Sequence, residues 1–284
     1  MSAAGVGGAE LLSLVLEFEV EKGGTPPGTV GRAIHALFFE ILRELNPDLA
    51  EKIHSMRPYK PFTLSPLLGE GEERPSFPLM EGRRVYLRIT SIWEPLSEKL
   101  VGLERFPSSP LSLGSLSLRP LRLITDPSHE LVFLSSYREI YSRCFLEMKE
   151  IPRKILLRFT SPTTFRVGRA NLPFPLPHLV FRSYADRWNS FSNVHLGKFG
   201  DEAGRWIVVS GYRLKSRVVN LGRGKRVAFV GWCEFEVRKG APEFVRRCMR
   251  LLSEYALFCG TGQGVTMGLG QTSPSFLSGE STSV

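Results

Sequence analysis

The stretch Gly260-Thr-Gly-Gln-Gly-Val-Thr-Met-Gly-Leu-Gly270 places five glycines in eleven residues, directly after an amphipathic helical pattern. Glycine enters positive-φ backbone and lets another chain approach closely. The stretch is therefore either a tight helix-to-strand connection or a loop that offers backbone N–H groups to a phosphate-rich partner. It matches neither common nucleotide loop. A Walker A loop would end in Gly-Lys-Ser/Thr, and a dinucleotide fingerprint would follow a strand rather than a helix.

The elements around it supply the context. Pro242 to Phe258 carries Phe244, Val245, Cys248, Leu251, Leu252, Tyr255 and Ala256 at helical spacing, with Arg246, Arg247 and Arg250 on the wet face. A closing strand is expected from Leu269 to Ser273, and the tail from Pro274 is poor in core formers. Upstream lies a hairpin. In its first strand, Trp206 to Val219, residues Arg213, Lys215 and Arg217 alternate and share one face. The turn adds Arg223, Lys225 and Arg226, and the return strand Val227 to Val237 places Val227, Phe229, Cys233, Phe235 and Val237 on one face. Six cations in fourteen residues, with a flexible glycine-containing tip, read as a phosphate clamp rather than a charge-protected edge. Earlier still, a strand from Ile155 to Thr160 leads into Ser161-Pro-Thr-Thr-Phe-Arg166 and Arg169, and His178 to Phe191 reads as a helix. The order is strand–helix–strand–strand–helix–strand.

The first half repeats that order. Leu12, Leu14, Leu16, Phe18 and Val20 alternate with Ser13, Glu17 and Glu19, as in a strand with one buried face. Thr29 caps a helix with an apolar stripe through Val30, Ala33, Ile34, Leu37, Phe38, Ile41, Leu42 and Leu45. Asn46-Pro47 ends it, and Asp48 to Ile53 makes a short second turn. Strands are expected at Phe62 to Leu68, Arg83 to Thr90 and Leu118 to Thr125, with a helix from Ile92 to Leu103. Two βαββαβ ferredoxin-like, RRM-like domains follow, an α+β protein with domains at 1–130 and 150–284 and a helical linker at 131–149.

Charge separates the halves. Residues 1–130 hold 14 Lys+Arg and 17 Asp+Glu, net −3; the remaining residues hold 23 and 11, net +12. Such segregation suits a polyanion-binding face in the second half. The cysteines Cys144, Cys233, Cys248 and Cys259 fit no zinc or redox spacing and read as core residues of a reducing compartment. No apolar run approaches a membrane span, and Met1-Ser-Ala-Ala-Gly5 does not read as a signal peptide. A cytoplasmic protein with no structural metal and no cofactor is expected.

The chemistry concentrates between the first helix and the second strand. His54, Arg57, Tyr59 and Lys60 fall within seven residues of a loop punctuated by Pro58 and Pro61. A histidine beside cations can move a proton at a phosphate and stabilise the charge that develops there. His35 is the rival proton carrier, on the first helix at the edge of its apolar stripe, with Phe39 one turn later. His129, His178 and His195 suggest no partner.

At this point the sequence resembles the CRISPR-associated endoribonucleases that cut precursor repeat transcripts into guide RNAs. The marks are Gly260, Gly262, Gly268 and Gly270 in a Gly-x-Gly-x5-Gly-x-Gly pattern between last helix and last strand, Asn46 to His54 running into Lys60-Pro-Phe-Thr-Leu-Ser65, and Phe159 to Arg166. The resemblance covers nearly the whole chain. It implies tandem ferredoxin-like domains, precursor CRISPR RNA as partner, and metal-independent attack of a ribose 2′-OH on the adjacent phosphate, leaving a 2′,3′-cyclic phosphate and a 5′-OH. Some members use a tyrosine, histidine and lysine together. His54 falls on the histidine position and Lys60 on the lysine, while Phe39 stands at the tyrosine position. Tyr59 and His35 are the two residues available to replace it. A non-catalytic RNA-binding subunit of an effector complex is the alternative, and it would need the basic hairpin but not His54. Monomer and homodimer are both compatible with the sequence, as is association with an effector complex.

Overall fold

The computed structural model describes residues 9–26, 30–69, 78–102, 110–220 and 224–276. The chain divides into two compact units. One comprises Met1–Ser136, Asn220–Lys225 and Thr266–Leu269, and the other Tyr137–Val219, Arg226–Val265 and Gly270–Val284. No helix among the described residues is long and apolar enough to cross a membrane.

In the first unit strand β1 (Leu11–Lys22) is followed by helices α1 (Val30–Leu45) and α2 (Pro47–Ser55), strands β2 (Phe62–Leu64) and β3 (Arg84–Ser91), helix α3 (Glu94–Val101), and strands β4 (Leu111–Leu113), β5 (Leu116–Ile124) and β6 (Phe133–Ser135). The sheet runs β2-β3-β1-β5-β4, with β6 also paired to β1. Antiparallel register sets Leu16 opposite Leu87 and Phe18 opposite Val85. Period-two alternation then puts Leu12, Leu14, Leu16, Phe18 and Val20 on one face. They pack with Ile34, Leu37, Phe38, Ile41 and Leu42 of α1 and Leu96 and Leu100 of α3 in one core.

Three expectations change here. β1 is buried on both faces, not one: Ser13 and Val15 are fully buried and Glu17 is 1% exposed. The polar members of that second face are satisfied locally. Ser13 donates to the Leu131 carbonyl and accepts from Arg88, and Glu17 is held by Arg84 and Arg122. Burial raises the Glu17 pKa, but the two guanidiniums outweigh it and hold the carboxyl below its usual range. Next, the short turn after Asn46 is a full helix, because Asn46 caps α2 by accepting from Leu49 N and Pro47 suits its first turn. His54 consequently lies in the last turn of α2, not in a loop. Last, β2 stops at Leu64. Ser65 N–H still donates to the Arg88 carbonyl, but Pro66 has no N–H to donate, and an isolated bridge from Leu68 to Tyr86 follows. The Thr29 cap lies outside the described residues.

The second unit opens with helix α4 (Tyr137–Ser142), which runs into a π-helical turn at Arg143–Glu147. The stretch expected as a helical linker thus begins with β6 and ends in a helix whose Tyr137 and Ile140 are buried. Strand β7 (Lys154–Thr163), a small hairpin β8 (Phe165–Val167) and β9 (Ala170–Leu172), helices α5 (Pro177–Phe191) and α6 (Phe199–Trp206), strands β10 (Ile207–Asn220) and β11 (Lys225–Val237), helix α7 (Glu243–Cys259) and strand β12 (Thr272–Pro274) follow. The sheet order β10-β11-β7-β12 repeats the β2-β3-β1-β5 order of the first unit. The protein is a tandem ferredoxin-like fold.

The small hairpin and α6 had no clear sequence signal. Val227 is 46% exposed while Phe229, Cys233, Phe235 and Val237 are buried, because β11 pairs with β7 only from Phe229 onward and its start extends past β7. Phe244, placed in the core stripe of α7, is 45% exposed in the helix's first turn. Conversely Arg247 and Arg250 are not a wet face. Arg247 bonds Glu243 and the Cys144 carbonyl, and Arg250 bonds buried Glu254. The four cysteines are buried free thiols.

Candidate active site and nucleic-acid interface

The first unit gathers the candidate proton carriers around one ring. Phe39, on α1, lies 5.0 Å from the His35 ring and 5.4 Å from the His54 ring. Phe62 of β2 stacks at 5.9 Å on His35. The spacing of α1 and α2 follows from their apolar stripes, which bury Leu37, Phe38, Ile41, Leu49, Ala50 and Ile53. Phe39 thus serves as a spacer that sets one histidine on each of two helices.

His35 is half-buried, and its Nδ1 lies 3.1 Å from the carbonyl oxygen of Thr266. A carbonyl only accepts, so Nδ1 carries the proton and Nε2 keeps its lone pair. Burial pushes the His35 pKa down; the bond to Thr266 opposes this, and the charges of Lys60 and His54 add to the depression. The side chain is therefore neutral at physiological pH, with an accepting nitrogen available. Thr266 is 231 positions away from His35. It had no sequence signal, because the functional group is a backbone carbonyl.

His54 is exposed at the C-terminal end of α2. Lys60 directs its ammonium at that same end, donating to the carbonyls of Ile53 at 2.8 Å and Met56 at 3.1 Å and also to that of His54. Arg57 donates to the carbonyls of His54 at 3.0 Å and Met56 at 2.8 Å. Two cations at a helix C-terminus satisfy its last carbonyls and complement its dipole. Lys60 loses some proton affinity to burial and to the charge of Arg57. Tyr59 is half-buried in the connection to β2.

Most of the basic residues lie on the second unit's strands, whereas Lys225 groups with the first unit. Arg213, Lys215 and Arg217 are exposed along β10, and Lys225 is exposed at the start of β11. Tyr212, Ser216 and Val218 are exposed as well, so this end of β10 is wet on both faces. Arg166 and Arg169 are exposed at the β8–β9 hairpin, where Arg166 donates to the Gly168 carbonyl. Arg226 is tied to Gln263 of the glycine-rich loop at 3.0 Å. Arg223 lies outside the described residues.

The glycines of that loop do structural work first. A Cβ on Gly262 would sit 2.4 Å from the Thr164 oxygen, and one on Gly270 would sit 2.1 Å from the Thr261 oxygen. Both residues, like Gly260 and Gly268, have positive φ. The Gly260 N–H bonds Ala256 O and the Gly270 N–H bonds Pro162 O. Those two N–H groups are committed, so they are not offered to a phosphate as the glycine spacing suggested. A buried hydroxyl chain closes the loop's two ends: Tyr184 to Thr261 at 2.5 Å, then Thr261 to Thr272 at 2.7 Å. Arg187, nearly buried on α5, donates to the Gly262 carbonyl at 2.7 Å. Neither Tyr184 nor Arg187 drew attention in the sequence, since each sits within a helical stripe where packing is the ordinary role.

The first ferredoxin-like unit thus holds two histidines around one phenylalanine ring, and the second carries exposed cations along one strand. The CRISPR Cas6 N-terminal domain model matches residues 11–142, and the model described as CRISPR-associated endoribonuclease Cas6 matches residues 157–272. A CRISPR-associated endoribonuclease Cas6 of Mycobacterium tuberculosis is 23% identical over 263 residues, covering 91% of this chain and 76% of that one. Among solved structures, a Thermus thermophilus Cas6 product complex is 26% identical, with a TM-score of 0.74 over 93% of this chain and 99% of that one. A second Cas6 product complex is 22% identical, with a TM-score of 0.72 and the same coverage. The chain belongs to the CRISPR-associated endoribonuclease Cas6 family.

Proposed function

We propose that this chain binds precursor CRISPR RNA and cleaves it within the repeats in the cytoplasm, by attack of a ribose 2′-OH on the adjacent phosphate without a metal ion. His35 Nε2 takes the 2′-OH proton as the P–O2′ bond forms. His54 delivers a proton to the 5′-oxygen as the P–O5′ bond breaks, leaving a 2′,3′-cyclic phosphate and a 5′-OH. Lys60 sits beside the pair as the cation that stabilises the dianionic phosphorane. The observation that carries the reading is the bond from His35 Nδ1 to Thr266, which leaves Nε2 accepting on a ring whose pKa is depressed by burial and by the nearby charges of Lys60 and His54. The sequence ranked His54 first as proton carrier; the geometry supports His35 as base and His54 as acid. The exposed cations Arg166, Arg169, Arg213, Lys215, Arg217 and Lys225 hold the phosphate backbone. That a Thermus thermophilus relative has been captured as a product complex supports the coarser reading of an RNA-cleaving protein.

The test uses purified protein and a repeat-containing RNA. Cleavage should proceed in excess EDTA and should stop when the nucleotide 5′ of the scissile phosphate is 2′-deoxy. Loss of cleavage on chelation, restored by a divalent ion, contradicts the proposal, as does cleavage of the deoxy substrate.

A further inference from the structure

One turn before His35, on the same face of α1, stands Gly31. Glycine is a poorer helix former than alanine, so its presence there asks for a reason, and the close approach of another backbone supplies one. A Cβ on Gly31 would lie 2.3 Å from the Met267 carbonyl oxygen and 3.1 Å from both the Met267 carbonyl carbon and its Cβ. The same segment is enclosed from another side. A Cβ on Gly268, whose φ is +80°, would lie 3.2 Å from Pro66 N and 3.3 Å from Pro66 Cα, just past β2. Thr266–Leu269 belongs to the first unit and rests between the backbone of α1 and the Ser65–Pro66 bend. In that seat the Thr266 carbonyl meets His35 Nδ1 at 3.1 Å.

We propose that Gly31 is a positioning residue for cleavage: its missing side chain lets the Thr266–Met267 backbone lie against α1, so that the Thr266 carbonyl locks His35 in its Nδ1–H tautomer. This rests on His35 being the base. The two glycines and the carbonyl act as one device. Gly31 sets the distance between helix and segment, Gly268 allows the segment its left-handed turn beside Pro66, and Thr266 reads the resulting position through a hydrogen bond to the imidazole. A segment displaced by the width of a methyl group would lose that bond, and the ring would be free to protonate on Nε2, where it accepts nothing from a ribose hydroxyl.

Long-range 1H–15N correlation spectra of the imidazoles test this together with single-turnover cleavage at saturating RNA. Wild-type protein should show His35 protonated at Nδ1. Gly31→Ala should shift His35 toward the Nε2–H tautomer and slow cleavage by about 10- to 100-fold, the scale of a misplaced catalytic group, with RNA affinity held within about 3-fold. A wild-type spectrum with Nε2–H overturns the proposal, and so does a Gly31→Ala protein with unchanged tautomer and rate, or one that is only less heat-stable. Where Gly31→Ala does not fold, Gly268→Ala crowds the same segment from Pro66 and is read in the same way. His35→Ala separates the two levels. Full activity in that variant sinks the catalytic reading, whereas an inactive His35→Ala beside a normal Gly31→Ala sinks only the positioning role.

Discussion

The two units share one strand order and differ in how they hold the residues nearest their candidate functions. In the first, the groups near the candidate site have fixed partners: His35 on the Thr266 carbonyl, Lys60 and Arg57 on the last carbonyls of α2. In the second, Arg213, Lys215 and Arg217 stand exposed along one strand. Proton transfer depends on atoms held within a few tenths of an ångström, whereas attraction to a polyanion depends on the number of cations within a screening length. Single substitutions should therefore act steeply in the first unit and gradually in the second.

The steepest effect expected is that of His35→Ala. Its single-turnover cleavage should fall by about 10²-fold or more, with RNA affinity within a few-fold, because a neutral side chain contributes little to a multi-phosphate interface. His54→Ala should lose less, about 10- to 100-fold, since water can protonate a departing 5′-oxygen more readily than it can replace a fixed base. An inactive His54→Ala beside an unaffected His35→Ala would reverse the roles and return the base to α2.

Replacing Arg213, Lys215 and Arg217 together by alanine should leave the rate at saturating RNA nearly unchanged and weaken binding. The slope of log affinity against log salt should flatten by about 2, at roughly 0.7 per phosphate contact on single-stranded RNA. An unchanged slope would show that β10 faces solvent in the complex.

The smallest effect on cleavage should come from Glu17→Gln, on the sheet face away from α1. It breaks a buried, doubly paired carboxylate and should cost about 2 kcal/mol of stability, discounted because both arginines are about half or more exposed. The folded-state pKa of Glu17 is depressed, so its contribution is complete above the ordinary carboxylate range and is lost as pH falls through the folded value. Urea unfolding at pH 7 and pH 4 should show the wild-type advantage shrinking on acidification. An advantage independent of pH would mean that the ion pairs do not stabilise the fold.

Legibility in the sequence followed the range of the interactions. The stripe of α1 was readable because its period is local, and all of Ile34, Leu37, Phe38, Ile41 and Leu42 are in the core. The repeated strand order was readable for the same reason. The second buried face of β1 was not, because Ser13 and Glu17 look solvent-facing until Arg88, Arg84 and Arg122 are brought across from other strands. The glycine spacing located the loop correctly between α7 and β12, yet it could not show that Gly262 and Gly270 are crowded by Thr164 and Thr261 backbone. The ranking of the two histidines was decided by polar neighbours in sequence, which favoured His54. What distinguishes His35 is a backbone acceptor 231 positions away together with the burial that depresses its pKa.

The most direct measurement is the pH dependence of single-turnover cleavage at saturating RNA, for wild-type protein and His35→Ala. A base must be deprotonated to act, so wild-type activity should rise with pH through an apparent pKa below the ordinary histidine value of about 6.5. That limb should be absent from the residual activity of His35→Ala. A low-pH limb that persists unchanged in His35→Ala would show that another group accepts the proton.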